Sequence, residues 1–195
     1  MRDSIALDST RLQRLQQISL WDFALSLYAM PGVEAACLTL QDENDVDVCE
    51  LLFHCWLYSC GLEVIPAKVM TIRRERCQWQ QHVTEVLRGL RRDLKASAAA
   101  SESVATLRQT IKQAELMAER ENLQRWQGWI LTSLNSEQKL RNRDEKTPNA
   151  AIWLRKQLFI TDEEGVAKEA SKMPAASLQA LQTVACQLDP HQVAR

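Results

Sequence analysis

Glycine and proline are scarce in this chain, five of each in 195 residues, and that scarcity excludes most turn-rich β architectures. With few breakers and abundant Ala, Leu, Gln, Glu and Arg, helix is favoured in nearly every window. No stretch approaches the roughly 18 uninterrupted apolar residues of a membrane span, and the polar start MRDSIALDST lacks the form of a secretory signal. A cytoplasmic, bacterial-type protein without a membrane segment is expected. Lys and Arg are absent between Arg14 and Lys68, a span that holds eight acids: Asp22, Glu34, Asp42, Glu43, Asp45, Asp47, Glu50 and Glu63. From Lys68 to Lys95 the balance reverses, with Lys68, Arg73, Arg74, Arg76, Arg88, Arg91, Arg92 and Lys95 against Glu75, Glu85 and Asp93, a net of +5. The whole chain carries only −1, so an electrostatic partner has to be recognised through a local patch.

What is present is a segment apolar almost all the way round, DVDVCELLFHCWLYSCG from Asp45 to Gly61. A helix of that kind has to lie at the centre of a domain. Ser19 and Asp22 cap the helix before it, Pro31 is suited to opening a second, and Gly61 supplies a left-handed stop after the central one. After Pro66, Ile72, Trp79, Val83, Val86, Leu90 and Leu94 form one inward stripe of a long helix. A turn near Ser101 leads into another long helix, Val104 to about Leu134. Its stripe drifts round the axis, as expected of an antiparallel pair without strict heptads. Residues 135–147 are polar and read as a linker; Thr147-Pro148 opens a short helix, Thr161 to Glu164 resembles a capping box, and a last helix runs from about Pro174 to Leu188. The expected fold is all-α: an irregular helical bundle over 1–134 with a long antiparallel helix pair, and a small helical C-terminal appendage over 148–195.

The run from Leu20 to Leu62, followed by WQQHVTEVLRGLRRDLK, resembles a proteobacterial family known only as a domain of unknown function, DUF2390-like. The residues that carry the resemblance are Trp21, Tyr28, Gly32, Val33, Cys37, Leu38, Leu40, Gln41, Asp47, Val48, Trp56, Leu87, Arg88, Leu90, Arg91 and Arg92. It is best over residues 20–95, and it implies kinship without implying a reaction. Two departures stand out: the family pattern has glycine where this chain has Asp45, and asparagine where it has Cys49.

Arg88, Arg91, Arg92 and Lys95 stand at i, i+3, i+4 and i+7, so their side chains share one helical face. Such a face suits an acidic protein partner or, less well, nucleic acid; equally, these cations answer the negative end of their own helix dipole. Asp22, Gln41, Asp47 and His54, polar residues in the family-like core, are the candidates for lining a small-ligand or enzymatic pocket, or for a structural network fixing helix register. Asp42, Asp45 and Asp47 miss the EF-hand pattern, and solvated capping acids are the simpler account. The Cys and His spacings suit no metal site: Cys49 and Cys55 point about 120° apart on one helix. The six cysteines read as reduced thiols, three of them in the central helix. Trp126, Trp129 and Trp153 are either partner anchors or packing residues. No nucleophile elbow, phosphate-cradling glycine loop or acid pair is found, so the balance is against an enzyme, and no cofactor or metal is expected. The leading expectation is a protein-interaction or adaptor module using the basic face. A small-ligand pocket is the first alternative and an RNA- or ribosome-associated factor the second.

Overall fold

The computed structural model describes residues 13–132, 139–143, 149–159 and 173–189. After a helical turn at 13–17 come α1 (Leu20–Tyr28), α2 (Val33–Asn44), α3 (Val48–Ser59), strand β1 (Leu62–Val64) and α4 (Pro66–Trp79). A π-helical turn, Gln80–Thr84, joins α4 to α5 (Glu85–Asp93). Then follow α6 (Lys95–Ala100), α7 (Glu102–Leu131), β2 (Leu140–Asn142), α8 (Ala150–Leu158) and α9 (Ala175–Leu188). The all-α architecture expected from the sequence is present. Among the described residues no single helix is long and apolar enough to cross a membrane; α1 and α2 meet that test only jointly and are bent by 100°.

Helix α3 is the axis of the molecule. Leu51, Phe53, Cys55, Trp56 and Leu57 are completely buried, which follows from apolar residues on every side of the helix. Its N-terminus is closed by Asp47, whose carboxylate accepts from the backbone N–H of Cys49 at 2.8 Å and Glu50 at 3.3 Å. Gly61, with φ +68°, ends the segment in the left-handed conformation the sequence predicted. Helices α1, α2, α7 and α8 pack round α3. Phe53 stacks on Trp126 of α7 at 4.6 Å between ring centroids, and the Trp56 indole donates to the Ile18 carbonyl at 3.1 Å. Trp126 and Trp153 are fully buried, so both are packing residues.

The C-terminal helices dock on the bundle. α9 lies against α2 and α8, and α8 against α3. Ser177 donates to Glu43 at 2.9 Å, the Tyr58 hydroxyl donates to Asp189, and the Trp153 indole donates to Glu63 at 2.9 Å. Within the stretch read as a linker, Leu140–Asn142 pairs antiparallel with Leu62–Val64, in register Leu62 to Asn142. A three-residue strand carries no period to detect, which is why it is invisible in the sequence. The Thr161 to Glu164 capping box lies outside the described residues.

Two local expectations differ from the structure. Pro31 does not open α2: Gly32 is the cap, at φ +80°, and an added Cβ there would meet Thr183 Cγ2 at 3.1 Å. The break expected near Ser101 is present: the second long helix begins at Glu102 behind an extended Ser101, after α6 has carried helix through Ala100. The stripe after Pro66 does not continue inward, for the reason given below. The Asp45 departure also acquires a meaning, since Asp45 is left-handed at φ 52°, a conformation glycine adopts without a Cβ penalty. Asp45→Gly should therefore stabilise the protein by about 1 kcal/mol in urea unfolding. Phe53→Ala should cost about 3–5 kcal/mol, read as a lowered urea midpoint with an unchanged slope.

Candidate ligand cavity beside the basic helix

The π-helical turn decides which residues face inward. Its defining bond runs from the Glu85 N–H to the Gln80 carbonyl, inserting one residue and turning all later positions by about 100°. Val86 and Leu90, inward in an unbroken helical repeat, are consequently 52% and 48% exposed. Gln80 and Thr84 are buried in their place, and the Arg88 side chain is only 14% exposed.

Arg88 meets two acids from α7. Its Nε donates to Glu115 at 2.9 Å and its Nη2 to Glu119 at 2.9 Å. Arg91 Nε also donates to Glu115, at 2.5 Å, and Arg108 donates to the Arg91 carbonyl at 3.1 Å. Burial alone would raise the Glu115 pKa, but the bonds from Arg91 and Arg88 win and hold it below the usual carboxylate value. For Glu119, burial wins and the shift is upward.

These residues form one wall of a cavity of about 510 Å³, within the range of small-molecule sites. Arg88, Arg91, Arg92, Lys95 and Arg108 all line it. Trp21, Leu25, Leu38, Leu116 and Leu123 supply apolar surface, and Tyr28, Gln41, Asp47, Cys49 and Gln80 further lining. Gln80 Oε1 and Arg88 Nη1, on lining residues, are buried without a hydrogen-bond partner, as are atoms of Arg76, Asn122, Trp126 and Gln157 elsewhere.

The four basic residues of the sequence stripe thus come together on the cavity wall, joined by Gln41 and Asp47. Asp22 and His54 are placed elsewhere. Asp22 is exposed at the start of α1, bonded to Ser19 Oγ at 2.6 Å. His54 is fully buried, with Nε2 3.4 Å from Glu50 Oε1 and its ring edge-on to Trp153 at 6.2 Å. Glu50 is in turn held by Arg73 Nε at 2.7 Å, so this is a core network. Asp42 and Asp45 are exposed, and among the described residues no three His, Cys, Asp or Glu side chains converge as a metal site. Gln80, Glu115, Glu119 and Arg108 were not anticipated as lining. The four-residue spacing of Glu115 and Glu119 opposite the basic stripe was the available signal.

Asp47 links the cavity to the central helix. Burial, and then the neighbouring Glu50 charge, push its carboxyl up to about 7 against the lowering effect of the Cys49 and Glu50 amides and of Asn122. The folded chain thus holds this proton more tightly than the unfolded chain, so the stabilisation is complete below the unfolded pKa and disappears as pH rises through about 7. Asp47 as a residue is half-buried and lines the cavity, which moderates the penalty. Asp47→Asn keeps a capping oxygen and removes the charge. Its stability relative to the parent should improve by roughly 2 kcal/mol from about pH 5 to pH 8, measured by urea unfolding of both proteins in matched buffers.

A family model described as a protein of unknown function (DUF2390) matches residues 19–126. No curated protein and no solved structure matches the chain.

Proposed function

The chain belongs to the DUF2390 family of unknown function, and we propose that it is a small-ligand-binding protein whose site is the cavity between α1, α2, α5 and α7. The observation that carries this reading is a space of about 510 Å³ that Arg88, Arg91, Arg92, Lys95 and Arg108 line together with the apolar side chains of Trp21, Leu25, Leu38 and Leu116. A concave, largely apolar space with a few charged groups converging on it is the usual form of a small-molecule site. The π turn beside the cavity is a local irregularity often found at functional sites. Both ends of the cavity lie within residues 19–126, the family-matched part.

A protein-docking role is the second reading. It is favoured by the exposure of Val86 and Leu90 on the same helix as Arg92. The ion pairs to Glu115 and Glu119 weaken it, because Arg88 and Arg91 are already engaged. The same pairing reduces the counterion release on which nucleic-acid binding depends.

Leu38→Trp with Leu116→Trp, both at partly exposed positions, fills the cavity from its mouth. Released small molecules from purified parent protein, identified by mass spectrometry after denaturation, should include one at near-stoichiometric level that the filled variant lacks. An equal yield from both proteins, or no ligand together with no thermal shift across a metabolite panel, contradicts the reading.

A further inference from the structure

We infer that the cavity's ligand is an amphipathic anion: a carboxylate or phosphate head on an apolar body of moderate length. This rests on the cavity being a ligand site and adds the chemistry it selects. The lining of the cavity is of two kinds. One is cationic, made by Arg88, Arg91, Arg92 and Lys95 from the α5–α6 side with Arg108 of α7. Glu115 and Glu119 neutralise Arg88 and Arg91, while among the described residues Arg92, Lys95 and Arg108 have no ion-pair partner. Two acids remain against these three cations: Glu34, and Asp47. Asp47 is further drawn toward its neutral form by burial, so the site is positive at neutral pH.

The other is apolar and open: Trp21 and Leu25 of α1, Leu38 of α2 and Leu116 of α7 line the cavity, the three leucines 49%, 39% and 50% exposed. Exposed aliphatic surface collected beside a cationic wall is unfavourable in water and is covered by a ligand that carries both characters. An inorganic anion would leave that surface wet. A neutral hydrocarbon would leave Arg92 and Lys95 without a countercharge, and a hydrophobic amine would face them directly.

Octanoate, octyl phosphate, octanol and octylamine, each below its aggregation threshold, separate these cases in calorimetric titrations of the full chain at low salt. Octanoate or octyl phosphate should bind about tenfold tighter than octanol, with octylamine weakest, and the preference should shrink as salt is raised. Arg92→Gln with Lys95→Gln, at exposed positions outside the core, should weaken the anion about five- to tenfold and leave octanol unchanged. Whichever of the two anions binds tighter identifies the head group. Equal binding of octanol, a preference for octylamine, or an anion affinity indifferent to the double substitution overturns the inference while leaving a ligand cavity of other chemistry. If none of the four probes binds, the inference is overturned as well; a co-purified ligand of another class would then keep the broader reading alive.

Discussion

Burial of α3 on every side is the constraint from which the remaining architecture follows. A helix with Leu51, Phe53, Cys55, Trp56 and Leu57 wholly removed from water has to be surrounded, and α1, α2, α7 and α8 each contribute a face to that task. The Phe53–Trp126 stack fixes α7 against it, and the Trp56 indole fixes the segment before α1. Because α3 is closed off along its length, its Glu50 and His54 are held in a core network with Arg73, and open polar surface is confined to its ends. The N-terminal end, capped by Asp47, is where the cavity opens.

The cavity itself is made by a defect in helix regularity. An unbroken helix from Pro66 to Asp93 would turn Val86 and Leu90 toward α7 and close the space with hydrocarbon. The π turn at Gln80–Thr84 instead brings Arg88 inward, where Glu115 and Glu119 compensate its charge. Breaking such a pair by removing one partner is far more costly than never building it. The arrangement therefore holds α5 firmly against α7 while leaving one guanidinium nitrogen uncommitted. The cationic part of the lining follows from the charge segregation of the chain, since α5 comes from the basic segment while α1 and α2, which supply Trp21, Leu25 and Leu38, come from the one without Lys or Arg.

Much of this was legible in the sequence, and the parts that were not share a physical cause. The buried central helix, its Gly61 stop and the shared face of Arg88, Arg91, Arg92 and Lys95 are consequences of composition and a 3.6-residue period. That period assumes unbroken α-helix, so a single π turn suffices to misplace Val86 and Leu90. Gln41 and Asp47 were grouped with Asp22 and His54 because all four are polar in an apolar stretch; their directions in space depend on helix packing that linear spacing does not encode. The strand pairing of Leu62–Val64 with Leu140–Asn142 joins segments far apart in the chain and has no local signature. The glycine-to-Asp45 departure, by contrast, was visible first as a mismatch with the family pattern and is explained by a positive φ.

Amide hydrogen exchange followed residue by residue tests the central claim most directly. The account predicts that backbone amides from Leu51 to Leu57 are the slowest in the protein, exchanging only through global unfolding, while those of α6, which has no buried residue, exchange through local opening. Exchange of Leu51 to Leu57 as fast as that of α6 would contradict it, because the helix would then lie open to water and the cavity at its N-terminus would lose its support.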